Sequence, residues 1–173
     1  CYPNKTKFQS NPFNDCPSLQ LFIFDPTIKT IEKSWFQRIQ QTTSFYSSTQ
    51  ESNEKKPSEI YLPDSVTSLG YDAFCGFSSL IIPSSVTYIH DEVFKDCISL
   101  KEIVIPSSIS SIPNRAFCGC TSLVNVSIPS SVTRIGYEAF SGCKSLKKIK
   151  LPPSLNQIGS NVFDNCKNLA SIT

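Results

Sequence analysis

The sequence lacks methionine and has only one histidine, one tryptophan and six glycines among its 173 residues. Because His90 has no second imidazole to join, a histidine-rich metal centre is excluded. The few glycines form no phosphate-binding loop and no nucleophile elbow. We therefore expect a protein that is not an enzyme and that uses no metal or other cofactor.

Charge and long apolar segments are scarce as well. Charged residues make up 17% of the chain and the formal net charge is +2, so no strong field favours nucleic acid or membrane insertion. The longest apolar stretch, residues 21–24, is far shorter than the roughly 20 residues that cross a bilayer. No secretory signal is visible. Because the chain begins at Cys1 without methionine, we interpret it as a fragment of a longer protein.

The abundant feature is a repeat with a period of 23, marked by prolines. An equivalent proline, Pro63, precedes the regular series at a slightly shorter spacing. Each proline is followed at the eleventh position by a phenylalanine, namely Phe74, Phe94, Phe117, Phe140 and Phe163. The chain 1–173 is therefore predicted to be one domain of about seven repeats. The repeats are regular over 63–173 and divergent over 1–62, with an insertion near 40–57 that we expect to be a surface loop.

Each repeat predicts one coil of a solenoid. In "LKEIVIP" the apolar residues Ile103 and Ile105 alternate as in a strand, and the proline ends it. One coil is too small to bury its own apolar side, so neighbouring coils must stack. We predict an α/β solenoid, a right-handed coil with a parallel β-sheet on its concave face. Short strands and 3₁₀ or helical turns should form the convex side.

The stretch "IPSSVTRIGYEAFSGCKSLKKIKLP" resembles the BspA-like, 23-residue (Treponema-type) class of leucine-rich repeats. Five repeats, from Pro63 to Thr173, match this pattern closely. The resemblance implies the solenoid fold and a protein-binding scaffold. The class occurs in surface and adhesion proteins of mucosal bacteria and in large protein sets of parasitic protists.

Four cysteines recur at the repeat spacing: Cys97, Cys120, Cys143 and Cys166. Stacked coils would place them in a line of roughly 14 Å, so they cannot converge on one zinc ion at about 2.3 Å each. In-register side chains also lie slightly too far apart for a relaxed disulfide. We predict one packed free thiol per coil.

Residues at the third and fifth places of each strand segment should point outward from the concave sheet. The fifth-place row runs Ile23, Tyr61, Ile81 and Val104 and then turns polar at Ser127 and Lys150. This apolar row suggests a contact site for another protein; ordinary strand preference for such residues is the alternative. "KSLKKIK" could be a solvated face, a docking patch for an acidic partner or, less favoured, a nucleic-acid site. The predicted partner-binding residues are Ile23, Glu59, Tyr61, Ile81, Glu102, Val104, Asn125, Ser127, Lys148 and Lys150.

Three roles for such a module follow. The main hypothesis is a non-catalytic intracellular scaffold or regulatory subunit, for example of a phosphatase or signalling enzyme, in the cytoplasm or nucleus. The thiol column favours this compartment, as does the sequon at Asn125, where a glycan would obstruct the sheet. A cell-surface adhesin is the first alternative. The second is a self-associating structural module that forms a homo-oligomer through open solenoid ends.

Overall fold

The computed structural model describes residues 21–24, 27–31, 44–47, 59–72, 74 and 77–173, and it describes only the backbone of 21–24, 44–47 and 59–61. These residues contain fourteen short strands. The strands are β1 Leu21–Phe24, β2 Thr30–Ile31, β3 Ser44–Ser47, β4 Glu59–Tyr61, β5 Ser68–Leu69, β6 Ser79–Ile81, β7 Tyr88–Ile89, β8 Glu102–Val104, β9 Ser111–Ile112, β10 Asn125–Ser127, β11 Arg134–Ile135, β12 Lys148–Ile149, β13 Gln157–Ile158 and β14 Ser171–Ile172.

The strands form two faces of a solenoid, and the strand pairs within each face are parallel. On the first face β1 pairs with β3, β4 to β10 pair in the order β4-β6-β8-β10, and β12 pairs with β14. On the second face the orders are β2-β5-β7 and β9-β11-β13. The predicted parallel solenoid is therefore confirmed.

The proline of each repeat turns the chain from the first face to the second. The carbonyl of Pro106 accepts a hydrogen bond from the Ile109 amide at 3.1 Å, and Pro129 and Val132 repeat this contact. The serine two positions after each proline bridges two coils; the Ser131 hydroxyl, for example, donates to the Ile109 carbonyl at 2.7 Å. The sequence "PSS" thus forms a turn, and its last serine then donates a hydrogen bond to the preceding coil. The hydroxyl needs this acceptor because it is partly buried.

The turns between the second face and the next strand are not helical, contrary to our expectation. Within 77–173 no residue is helical, so the α part of the predicted α/β class is not supported there. Glu92 and Asp96 both have positive φ, of 60° and 55°, so right-handed helix cannot propagate through this segment. The equivalent positions of later coils also have positive φ, at Arg115, Gly119, Glu138, Gly142, Asn161 and Asn165.

The amides freed by this geometry bond to the next coil. In 92–96, 115–119 and 138–142 the first, third and fifth N–H groups each donate to a carbonyl of the following coil, at 2.7–3.0 Å. Phe94 donates to Ala116, for example. We call this set of nine hydrogen bonds the turn ladder. It satisfies the backbone between coils where neither helix nor sheet is present.

Equivalent apolar side chains stack along the axis to form the core. The rings of Phe94, Phe117 and Phe140 are fully buried, and their centroids are 5.2 and 5.1 Å apart along the column. Ala116 and Ala139 are buried beside them. The equivalent places in the neighbouring coils hold the buried Val93 and Val162, so this position is occupied by alanine or valine.

The region 40–57, where we expected an insertion that forms a surface loop, includes a strand. Thr30 pairs with Ser68, 38 positions later, so extra chain separates β2 from β5. Part of that chain forms β3, which pairs with β1 in the ordinary register, Leu21 with Ser44. Since β3 also contacts β4, the extra residues add a strand to the first face.

Candidate functional site

The outward side chains of the first face, from β6 to β14, line a groove of about 1030 Å³. We call this surface the groove face. Strand alternation creates it: in β8 the Ile103 side chain is buried, whereas those of Glu102 and Val104 are exposed. Of the predicted binding residues, the groove lining includes Ile81, Glu102, Val104, Asn125, Ser127, Lys148 and Lys150.

The β6–β8 end of the groove face carries an exposed aliphatic pair. Ile81 and Val104 are in-register partners of neighbouring strands, and they leave 50% and 64% of their surface exposed. Ser127, the next residue of this row, is polar and exposed. Two branched aliphatic side chains therefore lie side by side in an open groove.

The other end is cationic. Lys148 is paired with Ser171, and Lys150 lies beside Thr173, because the Leu151 amide donates to the Thr173 carbonyl at 2.7 Å. Both lysines are exposed, and neither forms a salt bridge with any residue that the structure describes. This end of the groove therefore presents two positive charges to solvent.

The apolar row differs from the prediction at its N-terminal end. Tyr61 is the in-register partner of Ile81, but the partner of Ile23 is Tyr46 of β3. Tyr46 therefore enters the row that we expected to run directly from Ile23 to Tyr61. The sequence signal for this strand was the position of Tyr46, one full repeat after Ile23. We did not use it because we interpreted residues 40–57 as a polar loop. For Ile23, Glu59 and Tyr61 the description is limited to the backbone.

The four recurrent cysteines lie away from the groove, three of them fully buried. None of Cys97, Cys118, Cys120, Cys143 and Cys166 forms a disulfide. The Cys120 thiol donates to the Phe94 carbonyl at 3.0 Å, and the Cys143 thiol donates to Phe117 at 3.2 Å. A hydrogen bond with the Cys166 thiol, together with burial, raises the pKa of Cys143. Cys120 and Cys143 therefore both pack in the core and donate hydrogen bonds between coils, and the raised pKa of Cys143 makes its thiol a poor nucleophile.

A chain of ion pairs runs along the turn ladder. The Arg115 guanidinium donates to Glu138 at 2.8 Å and to Glu92 at 3.3 Å, and it lies 4.7 Å from the centre of the Tyr137 ring. Burial alone would raise the pKa of Glu92, but hydrogen bonds from Lys95 and Arg115 outweigh it and lower that pKa. Because these charges are mutually paired, we assign them a structural role between coils.

His90 is part of an aromatic cluster on the second face. Its ring centroid lies 5.0 Å from that of Tyr71 and 4.7 Å from that of Tyr88. In the described portion of the chain no group of three or more His, Cys, Asp or Glu side chains is placed to hold a metal ion. Nor does that portion include a helix long and apolar enough to cross a membrane.

Parallel coils of one repeat each, an aliphatic and phenylalanine core, and an open groove on a parallel sheet define the leucine-rich repeat class of solenoids. The sequence profile described as "BspA type Leucine rich repeat region" matches six copies, over residues 2–56 and 50–170. The chain belongs to the BspA-type leucine-rich repeat family. This family is generally non-enzymatic, and leucine-rich repeats typically mediate protein interactions.

Solved structures with the same fold come from several bacteria. A leucine-rich repeat protein of Bacteroides ovatus is 25% identical with a TM-score of 0.62, and the match covers 91% of this chain and 49% of that one. A T. pallidum leucine-rich repeat protein is 20% identical with a TM-score of 0.61, covering 79% and 58%. The pneumococcal vaccine antigen PcpA is 23% identical with a TM-score of 0.59, covering 92% and 40%. The chain thus spans roughly half the length of these proteins. No curated protein matches it significantly.

Proposed function

We propose that this chain is a protein-interaction module that binds a segment of another protein along the groove face. The observation that carries the proposal is the pair Ile81 and Val104, which are in register and at least half exposed within the groove. Isolated apolar side chains are common on protein surfaces, but adjacent ones in a concave site mark contacts.

The free energy that a partner would gain by covering this pair is favourable but modest. Burying one such side chain completely contributes about 1.5–3 kcal/mol relative to leaving it exposed. Ile81 and Val104 are already partly covered by their neighbours, so a partner would gain roughly half of this at each. That gain suits a reversible interaction, in which polar contacts along the rim supply specificity.

The narrower role that we propose is an intracellular scaffold or regulatory subunit. The lack of a disulfide at all five described cysteines supports it, since small extracellular domains usually oxidise their cysteines in pairs. A surface-exposed binding module and a self-associating module would use the same sheet or the coil ends, and mass spectrometry of material captured from cells distinguishes the three roles.

The test compares two charged substitutions at equally exposed aliphatic residues. Val104→Glu places a carboxylate in the groove, and Ile98→Glu places one on a turn outside it, where Ile98 is 61% exposed. We expect partner capture to be lost with Val104→Glu and retained with Ile98→Glu, while circular dichroism shows both variants folded. Retained capture by a folded Val104→Glu variant would show that the groove face is not the binding surface.

A further inference from the structure

We infer that the groove face selects a partner segment that is apolar at one end and carries carboxylates at the other. This inference rests on the proposed function and adds the chemistry of the bound segment and the spacing of its two ends. It comes from the change in character along the groove face, from Ile81 and Val104 at one end to Lys148 and Lys150 at the other.

The cationic end has the composition of a carboxylate site. Lys148 and Lys150 flank the buried Ile149 on one strand segment, so their Cα atoms lie about 7 Å apart on the same side. Hydroxyl donors stand on the strands to either side, at Ser127 and Ser171. Ammonium and hydroxyl donors arranged around one opening can satisfy the oxygens of one or two carboxylates.

The two lysines also lack neutralisation within the described part of the chain. Its salt bridges involve only Glu92, Lys95, Arg115 and Glu138, all on the turn ladder. The acidic residue of the groove lining, Glu102, lies two strand steps from Lys148, about 10 Å away. An arriving carboxylate therefore meets two lysine ammonium groups that form no salt bridge with any described residue, and charge complementarity identifies the occupant of this end.

A protein segment fits this surface better than a nucleic acid does. A phosphate backbone carries a negative charge at every residue and is held by long basic stripes. Here the Glu102 carboxylate and the aliphatic pair occupy the half of the groove through which such a chain would have to continue. The groove face thus favours one localised anionic group next to an apolar one.

The spacing of the two ends fixes the pattern of the ligand. Val104 and Lys150 occupy one row and are separated by two strand steps, or about 10 Å. An extended peptide rises about 3.3 Å per residue, so three residues cover that distance. We expect a ligand in which an aliphatic residue precedes or follows a pair of acidic residues by about three positions.

A random nonapeptide library displayed on phage tests this inference with the intact chain. We expect selected peptides to be enriched in Asp and Glu, with an aliphatic residue about three positions away. Lys148→Gln combined with Lys150→Gln should weaken these peptides at least tenfold in fluorescence anisotropy. The matched control combines Lys144→Gln with Lys167→Gln, two exposed lysines outside the groove, and should change affinity less than threefold.

The outcomes separate this inference from the proposed function. If selected peptides lose binding with Val104→Glu but not with the Lys148 and Lys150 double variant, the groove binds peptides and carboxylate selection is wrong. If no peptide is enriched, or binding survives both changes, both proposals fail. If the control lysines matter equally, or single-stranded DNA of matched charge binds more tightly than the peptides, the inference is overturned in favour of a general polyanion site.

Discussion

The buried thiols show how one residue type is fitted to its place in a coil. A cysteine side chain here fills a small apolar gap and also directs its S–H group at a carbonyl of the preceding coil, as Cys143 does toward Phe117. The Phe117 carbonyl also accepts a hydrogen bond from the Cys120 amide at 3.2 Å. This one oxygen therefore accepts hydrogen bonds both from its own turn and from the following coil.

Removing this thiol should weaken the fold measurably. Cys143→Ala is expected to lower the free energy of unfolding by about 1–2 kcal/mol, because a buried hydrogen bond is lost and a small cavity is left. Cys118→Ala, in the adjacent turn and partly exposed, should change it by less than about 0.5 kcal/mol. Urea unfolding followed by circular dichroism measures both. Equal costs at the two sites would mean that the column position has no special role.

The same thiol predicts a loss of stability in alkali. Its pKa in the folded chain lies above the ordinary value of 9.0, so the folded state holds the proton more tightly than the unfolded state does. The stabilisation is complete below about pH 9 and falls as the pH rises above that value. The same hydrogen bond lowers the pKa of Cys166, so the comparison removes both thiols. We expect the free energy of unfolding to decrease more steeply above pH 9 in the wild type than in Cys143→Ala combined with Cys166→Ala. Identical slopes would contradict this assignment.

At the scale of the element, the turns between coils depend on two glycines for different reasons. Gly136 lies so close to the preceding coil that an added Cβ would stand 2.6 Å from the Asn114 backbone nitrogen. Gly142 has room for a Cβ, which would meet its nearest neighbours at 3.5 Å, but its φ is 74°. The first position requires the absence of a side chain, whereas the second requires an unusual backbone conformation.

Substitutions at the two glycines should therefore separate steric from conformational cost. Gly136→Ala should destabilise the chain by about 2–3 kcal/mol, because backbone atoms must move. Gly142→Ala should cost about 1 kcal/mol, and Gly142→Asn less, since asparagine adopts positive φ more readily and Asn165 does so in the next coil. Thermal unfolding ranks the three variants. A ranking in which Gly136→Ala is the mildest would show that the coils can separate at little cost.

The sequence predicted the strands of the regular repeats better than the connections between them. Strand alternation and the proline stop depend on residues close in the chain, as in Ile103, Ile105 and Pro106. The turn ladder was missed because Glu92 and Arg115 are not residues that favour positive φ. Hydrogen bonds to the next coil impose that conformation, and no local pattern reveals them.

The groove face was predictable where it is built from strands of the regular repeats. Its exposed rows follow from a period of two within a period of 23, so Val104 and Lys150 could be assigned to it from their places in the repeat. β3 was missed although Tyr46 lies one full repeat after Ile23, because the sequence of the strand, "SFYS", lies in a polar stretch that we interpreted as a loop.

At the scale of the whole molecule, a solenoid should transmit a disturbance only to its nearest coils. The stacked rings make this measurable: Phe94 and Phe117 touch, whereas Phe163 is separated from Phe94 by two intervening rings. Each coil therefore contributes its own stability and two interface contributions.

Double-mutant cycles with leucine test that locality. Phe94→Leu and Phe117→Leu should be non-additive by about 0.5–1.5 kcal/mol, the usual coupling of packed aromatic pairs. Phe94→Leu and Phe163→Leu should add within about 0.5 kcal/mol. Chemical denaturation of the single and double variants gives both coupling energies. Strong coupling of the distant pair would mean that the coils behave as one rigid core.

The turn ladder is also directional along the solenoid axis. In its nine bonds the N–H always points toward the following coil and the C=O toward the preceding one, so the peptide dipoles of about 3.5 D each add within the ladder. Amides elsewhere between coils point the other way, as Thr133 does toward Ser110 and Gly159 toward Ile135. These opposed dipoles offset one another within each coil, which leaves side-chain charges such as those of Lys148 and Lys150 to set the field that an approaching acidic segment meets.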